Sequence, residues 1–255
     1  MATQNDFSSY LLAVDEGNTL VKVGLFTNGQ LSASLAFLPD EPQQLEALLI
    51  SLPLSGAVPL GWIRTGKHTD WEKWLTEGPF SKHFQIRRIQ VDDSLPIINT
   101  YKTPHTLGTD RILGVIGARA QFPDKAVLVI DIGTAITYDL MNAEGAYLGG
   151  AISPGLQMRF SSLHAYTASL PLVEMEGENP VIGNTTHTSI RSGVVHGLLA
   201  EVQQMANRFA EELGEQPIVF LTGGDGIRFE NQLKSINFVD PELVLKGIHY
   251  ILQHS

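Results

Sequence analysis

The sequence contains no cysteine in its 255 residues. A disulfide framework, a thiolate zinc site and a cysteine nucleophile are therefore all excluded. Any catalysis by this chain must depend on oxygen groups, nitrogen groups or a hard cation.

Basic residues are in the minority, with 17 Lys and Arg against 27 Asp and Glu, a formal net charge of −10. An acidic balance repels a phosphate backbone, which disfavours binding to nucleic acid. No apolar run approaches the roughly 18 residues that a membrane span needs. The opening MATQNDFSSY lacks the basic-then-apolar order of a secretory signal. We therefore expect a folded cytoplasmic protein with neither a nucleic acid nor a membrane as partner.

The chain contains an internal repeat. Residues 11–26 and 127–140 each consist of a short apolar run, an Asp-x-Gly turn, and a second run of β type. Runs rich in β-branched residues that a glycine turn interrupts are typical of antiparallel hairpins. The repeat predicts two similar halves, with Asp15 and Asp131 at equivalent positions.

After each hairpin the pattern predicts a third strand and then alternating helices and strands. Predicted helices lie at residues 43–51, 69–75, 109–120, 188–213 and 241–252, with strands at 58–64, 84–91, 146–150 and 218–221. Pro123-Asp124 ends the third helix and predicts the domain boundary, with halves at 1–123 and 124–255.

The first Asp-x-Gly turn has the chemistry of a phosphate loop. A glycine at a hairpin bend lets backbone N–H groups approach a phosphate, and a neighbouring carboxylate can hold Mg²⁺. Asp-x-Gly alone is a common turn, but its recurrence favours the functional interpretation. The candidate ATP-binding residues of this segment are Asp15, Glu16, Gly17, Asn18, Thr19, Leu20, Val21 and Lys22.

A third element follows in the second half, where the strand Ile218 to Thr222 leads into Gly223-Gly224-Asp225. Two Asp-x-Gly loops and this strand with Gly-Gly, in that order, resemble the actin, acetate and sugar kinase, and Hsp70 type of nucleotide-binding fold. The resemblance implies an α/β protein of duplicated ribonuclease-H-like halves. Each half would contain a mixed five-stranded-type sheet flanked by helices.

A closer resemblance lies in the block from Tyr101-Lys102-Thr103-Pro104 to Gly108-Thr109-Asp110-Arg111 and in the runs DIGTAITYDL, GAYLGGAISPGLQM and LHAYTASLPLVE. These motifs are similar to those of the type III pantothenate kinases, and the similarity extends from Asp15 to about Gly226. The sequence departs from the family at Ile112, where an aromatic residue is common. It also departs at Gly61 to His68.

The resemblance implies ATP-dependent phosphorylation of pantothenate to 4′-phosphopantothenate, the first step of coenzyme A biosynthesis. It implies Asp110 as the catalytic base, Thr134 as an ATP contact, and Asp131 as the ligand of a monovalent cation, K⁺ or NH₄⁺, used besides Mg²⁺. The residues implied to bind pantothenate are Tyr101, Gly108, Thr109, Arg111 and Thr186.

Several of these residues have an ordinary structural alternative. Asp110 and Thr186 each stand at the start of a predicted helix, where a side-chain oxygen caps the first turn. Arg111 either binds the pantothenate carboxylate or pairs with a surface acid. Lys22 is either a phosphate ligand or a solvated strand lysine.

Gly193 and Gly197 lie four residues apart in the long predicted helix, which places them on one helix face. Glycine is unfavourable inside a helix, so the pair indicates that another backbone approaches closely. That backbone belongs either to the chain's own sheet or to a second copy. The resemblance implies a homodimer whose substrate site is completed by the neighbouring subunit.

Two other functions fit the same fold. Another small-molecule kinase would act on a sugar or an acetate-like acid, and the block from Tyr101 to Arg111 is the discriminator, because a sugar kinase would have no reason to carry it. A nucleotide-binding regulatory protein of transcription-accessory type would act through a partner. Retention of Asp15, Asp110, Asp131 and Thr134 favours an active enzyme.

Overall fold

The computed structural model describes residues 10–52, 57–66, 69–91 and 95–254. The opening segment up to residue 9, and residues 67 and 68 of the departure that runs from Gly61 to His68, lie outside this part of the chain.

Eleven strands and six α-helices form within the described residues. The strands are β1 (Tyr10–Glu16), β2 (Val21–Thr27), β3 (Gln30–Phe37), β4 (Val58–Arg64), β5 (Phe84–Arg88), β6 (Ile98–Asn99), β7 (Val127–Ile132), β8 (Ala135–Met141), β9 (Ala146–Pro154), β10 (Ile218–Thr222) and β11 (Phe238–Val239). The α-helices are α1 (Gln43–Ser51), α2 (Thr69–Glu77), α3 (Thr109–Gln121), α4 (Leu156–Ala165), α5 (Thr186–Leu213) and α6 (Leu243–Gln253). A 3-10 helix, Gly226–Gln232, follows Gly223-Gly224.

The two sheets repeat one topology. The first has the order β3-β2-β1-β4-β5, and the second has the order β9-β8-β7-β10-β11 with β6 added beside β9. In each sheet the opening strand is central, antiparallel to the next strand and parallel to the fourth. This arrangement confirms the duplicated α/β fold that the internal repeat predicts.

The expectation of five strands is wrong for the second sheet, which has six. Ile98 N–H donates to Gly145 O at 2.9 Å, and Thr100 N–H donates to Tyr147 O at 3.2 Å. A short extended segment from the first half of the sequence therefore pairs with the open edge of β9. Pairing of this kind satisfies backbone groups that an edge strand would expose.

The contacts divide the chain into two units. The first contains residues 1–97, 101–121 and 242–255, and the second contains 98–100 and 122–241. This division differs from the expected second half of 124–255 at the C-terminal end, because its contacts assign α6 to the first unit. A Cβ atom at Gly117 would clash with Leu243 O, and one at Gly247 would clash with Leu113 O. The backbones of α3 and α6 thus touch, which only residues without side chains permit.

The tryptophans of the first unit pack in its core. Trp62 and Trp71 are buried, and Trp71 stacks on Trp74 with ring centroids 5.0 Å apart. Burial of such large rings contributes strongly to the stability of the first unit.

The helix α5 is the longest of the described helices, and it packs along the second sheet through buried residues that include Val194, Leu198 and Val202. Gly193 and Gly197 lie on its exposed side, where a Cβ atom would meet nothing within 4 Å. The alternative in which these two glycines pack against the chain's own sheet is therefore wrong.

None of the helices formed by the described residues combines the length and apolar character needed to cross a membrane.

Candidate active site

The first Asp-x-Gly turn is the tip of the β1–β2 hairpin. Gly17 N–H donates to Leu20 O at 3.0 Å and closes the turn. Asn18, Thr19 and Leu20 are exposed at its tip. The turn therefore presents an amide, a hydroxyl and backbone groups to solvent, which is the donor set that a phosphate accepts.

Asp15 and Lys22 face each other across the hairpin. They are register partners in the antiparallel pair of β1 and β2, and both are half-buried. Directly opposite residues have their Cβ atoms about 4.5–5.5 Å apart and project on the same face of the sheet. One face of the hairpin end thus carries a carboxylate and an ammonium group side by side.

Glu16 and Val21 project on the other face, and both side chains are buried in the core of the first unit. Glu16 Oε2 accepts a hydrogen bond from Trp62 Nε1 at 3.1 Å, and Arg64 Nε lies 3.4 Å from Oε1. The Glu16 carbonyl accepts from Thr65 N–H at 2.9 Å. Core packing therefore takes up both side chains. A role of Glu16 and Val21 in ATP binding stays a prediction that concerns their backbone alone.

Asp110 lies at the second position of α3, and Thr109 is the first. Asp110 is thus inside the first turn rather than at the cap, where the positive end of the helix dipole favours its ionised form. A Cβ atom at Gly108 would clash with Asp110 Oδ1 and would lie 3.5 Å from Asp110 Cγ. The carboxylate therefore folds back over Gly108, and a side chain at position 108 would displace it.

Tyr101 and Arg111 flank this carboxylate in sequence, and both are half-buried. A short 3-10 turn, Pro104–Thr106, connects Tyr101 to the buried Leu107. The burial of Leu107 anchors the chain immediately before Gly108 and the start of α3. The predicted pantothenate block is thus a single structured segment.

The second Asp-x-Gly turn connects β7 and β8. Gly133 N–H donates to Ala135 O at 3.0 Å, and Thr134 is exposed. Gly155 N–H donates to Thr134 O at 3.2 Å, and a Cβ atom at Gly155 would clash with the carbonyl oxygens of Gly133 and Thr134. Gly155 therefore packs directly on the backbone of this loop.

Asp131 lies at the end of β7, beside the Gly-Gly turn that follows β10. Gly223 has φ +91°, and a Cβ atom there would clash with Asp131 Oδ1 and with Ile132 O. Asp225 N–H donates to Ile132 O at 3.0 Å. A carboxylate oxygen and a carbonyl oxygen thus converge above Gly223, an arrangement that suits a hard cation.

Within the described residues, no group of three or more His, Cys, Asp or Glu side chains is placed to hold a metal ion.

Sequence reasoning missed a polar cluster centred on Arg159 and Glu201. Arg159 Nη2 donates to Glu201 Oε2 at 2.6 Å and to Ser153 Oγ at 2.8 Å, and Tyr138 Oη donates to Glu201 Oε1 at 3.2 Å. Burial by itself raises the pKa of Glu201, but hydrogen bonds from Ser153 and Arg159 and the Arg159 charge hold it below the usual value. Burial, followed by the Glu201 charge, raises the pKa of Tyr138.

The sequence offers only a weak signal for this cluster. Arg159 follows the Ser153-Pro154-Gly155 run, but Glu201 lies 42 positions further along the chain. Folding alone brings the two residues together.

An open cavity of about 740 Å³ lies at the start of α5. Thr186 is exposed at the first position of the helix, whereas the cap is Thr185, which forms a capping box with Thr188. The alternative that Thr186 caps the helix is therefore wrong, and Thr186 lines the cavity. The lining residues are Leu163, Leu170, Gly183, Asn184, Thr185, Thr186, Ser189, Ile190 and Gly193.

Solved structures of the same fold include proteins of different function. A protein from Campylobacter jejuni described as a Baf family transcriptional activator has a TM-score of 0.60 and 18% identity, covering 96% of this chain and 98% of its own. A glucokinase from an Antarctic psychrotroph has a TM-score of 0.50 and 12% identity, covering 97% and 100%. At these identities the likeness establishes the actin and sugar kinase type of fold and nothing about the reaction.

Sequence relatives are more specific. A type III pantothenate kinase from Phocaeicola vulgatus is 38% identical over 244 residues, which is 96% of this chain and 98% of the relative. One from Christiangramia forsetii is 39% identical over 245 residues, covering 95% and 97%. The family described as type III pantothenate kinase matches residues 74–208. From the matched residues, the near full-length identity and the repeated fold, we conclude that this chain belongs to the type III pantothenate kinase family.

Proposed function

We propose that this chain transfers the γ-phosphate of ATP to the primary hydroxyl of pantothenate, which yields 4′-phosphopantothenate for coenzyme A biosynthesis. The observation that carries the proposal is the Asp110 carboxylate, which lies over Gly108 in the first turn of α3 with Arg111 beside it in sequence. A carboxylate placed in this way can accept the proton of an attacking hydroxyl.

The pantothenate side of the reaction requires recognition of a carboxylate and a polar chain. Arg111 supplies a permanent positive charge with a planar set of donors that matches a carboxylate. Tyr101 adds a hydroxyl, and Thr186 adds another at the cavity where α5 begins. Thr109 and Gly108 contribute backbone groups at the start of α3.

The ATP side requires donors for the phosphates. Asn18, Thr19 and the backbone of the first loop supply them in the first unit, with Lys22 beside Asp15 as a point charge. Thr134 supplies a hydroxyl in the second unit. Mg²⁺, for which Asp15 is the candidate ligand, would neutralise charge on the phosphates. Asp131 and the Ile132 carbonyl are the candidate ligands of a monovalent cation.

Neither alternative function has a comparable argument. A regulatory role would not need an acidic group held over a glycine next to an arginine. A sugar kinase would not need the arginine, because its substrate has no carboxylate.

We expect Asp110→Asn to lower turnover by about 10²–10⁴, the usual contribution of a positioned base. Asparagine is uncharged and cannot accept the proton, but it has nearly the same shape, so ATP binding and the thermal midpoint should change little. The measurement is ADP release that depends on pantothenate. Asp40→Asn removes the same charge from an exposed position of the first unit and should leave turnover unchanged. Near-normal turnover in Asp110→Asn would exclude the base assignment.

We expect Gly108→Ala to lower turnover by about tenfold or more, since the misplacement of a reacting group by 1 Å can cost about 10²-fold. The added methyl group would clash with the end of a flexible side chain, so the carboxylate rotates away and the thermal midpoint falls by only a few degrees. The matched control is the double variant Gly108→Ala with Asp110→Asn. Because the methyl group acts through the carboxylate, the double variant should be no slower than Asp110→Asn alone. Full additivity of the two losses would contradict this mechanism.

We expect activity to require K⁺ or NH₄⁺ in addition to Mg²⁺. Asp131→Asn weakens the proposed oxygen site, so the variant should need a higher concentration of the cation for half-maximal activity. The assay is run in Tris or choline buffer that contains neither ion, with added KCl as the variable. Undiminished activity without both ions would disprove the requirement.

We also expect a homodimer in which the exposed Gly193 and Gly197 face of α5 contacts a second copy. Gly193→Leu should weaken association and raise the KM for pantothenate more than that for ATP, because Gly193 also lines the cavity that contains Thr186. Gln44→Leu, which adds a leucine at an exposed position of α1 in the first unit, is the control. Light scattering measures the oligomeric state. A monomer at concentrations at which the unmodified protein is fully active would refute the dimer.

A further inference from the structure

The second Asp-x-Gly loop rests on the segment Ser153 to Gly155. Gly155 N–H donates to Thr134 O at 3.2 Å, and there is no space for a Cβ atom between Gly155 and the carbonyls of Gly133 and Thr134. Backbone in direct contact with backbone transmits a displacement with little loss, because protein interiors are close-packed. The position of the loop therefore depends on what holds Ser153 to Gly155.

Arg159 holds that segment. It lies in the first turns of α4, and its side chain reaches back to the end of β9. Nε donates to Pro154 O at 2.8 Å, while Nη2 donates to Ser153 Oγ at 2.8 Å. Gly155 is the residue before α4 and has no side chain with which to cap the helix. The arginine thus supplies the side-chain contacts that the helix start lacks.

Glu201 on α5 fixes the arginine in turn. The Nη2 to Oε2 distance is 2.6 Å, and the exposed fractions of the two side chains are only 18% and 30%. A shielded, charge-assisted hydrogen bond of this length is stronger than an exposed ion pair. The other carboxylate oxygen accepts a hydrogen bond from Tyr138 on β8, the strand that leaves the loop. The Glu201 carboxylate therefore contacts β8 directly through Tyr138, and it fixes the segment Ser153 to Gly155 through Arg159.

We infer that Arg159, anchored by Glu201, is a positioning residue for the second phosphate loop: it fixes the segment on which Gly133 and Thr134 rest. It acts on ATP without touching it. The inference rests on the proposed function in one respect, the role of Thr134 in ATP binding. A planar guanidinium is needed because three acceptors on two elements lie around it: Ser153 Oγ and Pro154 O at the end of β9, and Glu201 Oε2 on α5. A lysine ammonium on a flexible stem would not hold all three in one geometry.

The test measures ATP binding by calorimetry in the presence of Mg²⁺, on the full chain. Arg159→Met keeps an aliphatic side chain of similar length and removes the guanidinium group. The variant should raise the Kd for ATP on the order of tenfold, in line with the loss of hydrogen bonds to charged groups. Glu201→Gln should have a smaller effect. The double variant should bind ATP no more weakly than Arg159→Met alone, since both residues act through the same segment. Arg208→Met removes the same charge from an exposed position of α5 and is the matched control.

A second readout reports the loop itself. Hydrogen exchange of the peptide spanning residues 131–137, without ATP, should be faster in Arg159→Met than in the unmodified protein, because the Gly133 amide loses its fixed surroundings. Arg159→Lys, which keeps the charge next to Glu201, should show an intermediate rate and serves as the test if Arg159→Met does not fold.

The outcomes separate the two proposals. An unmodified protein that binds no ATP would overturn the proposed function. If the unmodified protein binds ATP and the folded Arg159 variants bind it equally well, with unchanged exchange at residues 131–137, the positioning role is wrong. A lower thermal midpoint with an unchanged Kd would also overturn it, because that result describes a purely structural residue.

Discussion

Backbone packed directly on backbone is the constraint on which the position of the second Asp-x-Gly loop depends. At Gly155 a side chain would enter the carbonyls of Gly133 and Thr134, and at Gly223 it would enter the Ile132 carbonyl and the Asp131 carboxylate. Both contacts bring polar main-chain groups together around one short turn. Such close contacts leave no free space between the two backbones. The position of the loop is therefore set by the segments that contain Gly155 and Gly223.

The duplication of the fold makes the differences between the two halves informative. The residue after the loop aspartate is Glu16 in one half and Ile132 in the other, and both are buried. An isoleucine needs only apolar neighbours. A buried carboxylate needs partners, and Trp62 and Arg64 provide them from the adjacent strand β4. Removing either partner would leave a buried acceptor unsatisfied, which is costly.

The proposed roles of Asp110 and Thr134 each depend on another residue that positions the side chain or the loop. Asp110 depends on the missing side chain at Gly108, whereas Thr134 depends on Arg159 and Glu201 through Gly155. In a phosphoryl transfer the protein contributes mainly position and charge. For the proposed roles, the residues that support Asp110 and Thr134 are therefore as important as these two residues themselves.

The sequence alone determined the repeat, most element boundaries and the family motifs, because hydrophobic period and turn residues are local signals. Only the tertiary structure decided that Glu16 faces the core, that α6 joins the first unit, that Thr185 rather than Thr186 caps α5, and that the two helix glycines are exposed. These outcomes depend on partners distant in the chain. Arg159 and Glu201 show the reason most plainly, since neither residue has a recognisable environment until α4 and α5 pack together.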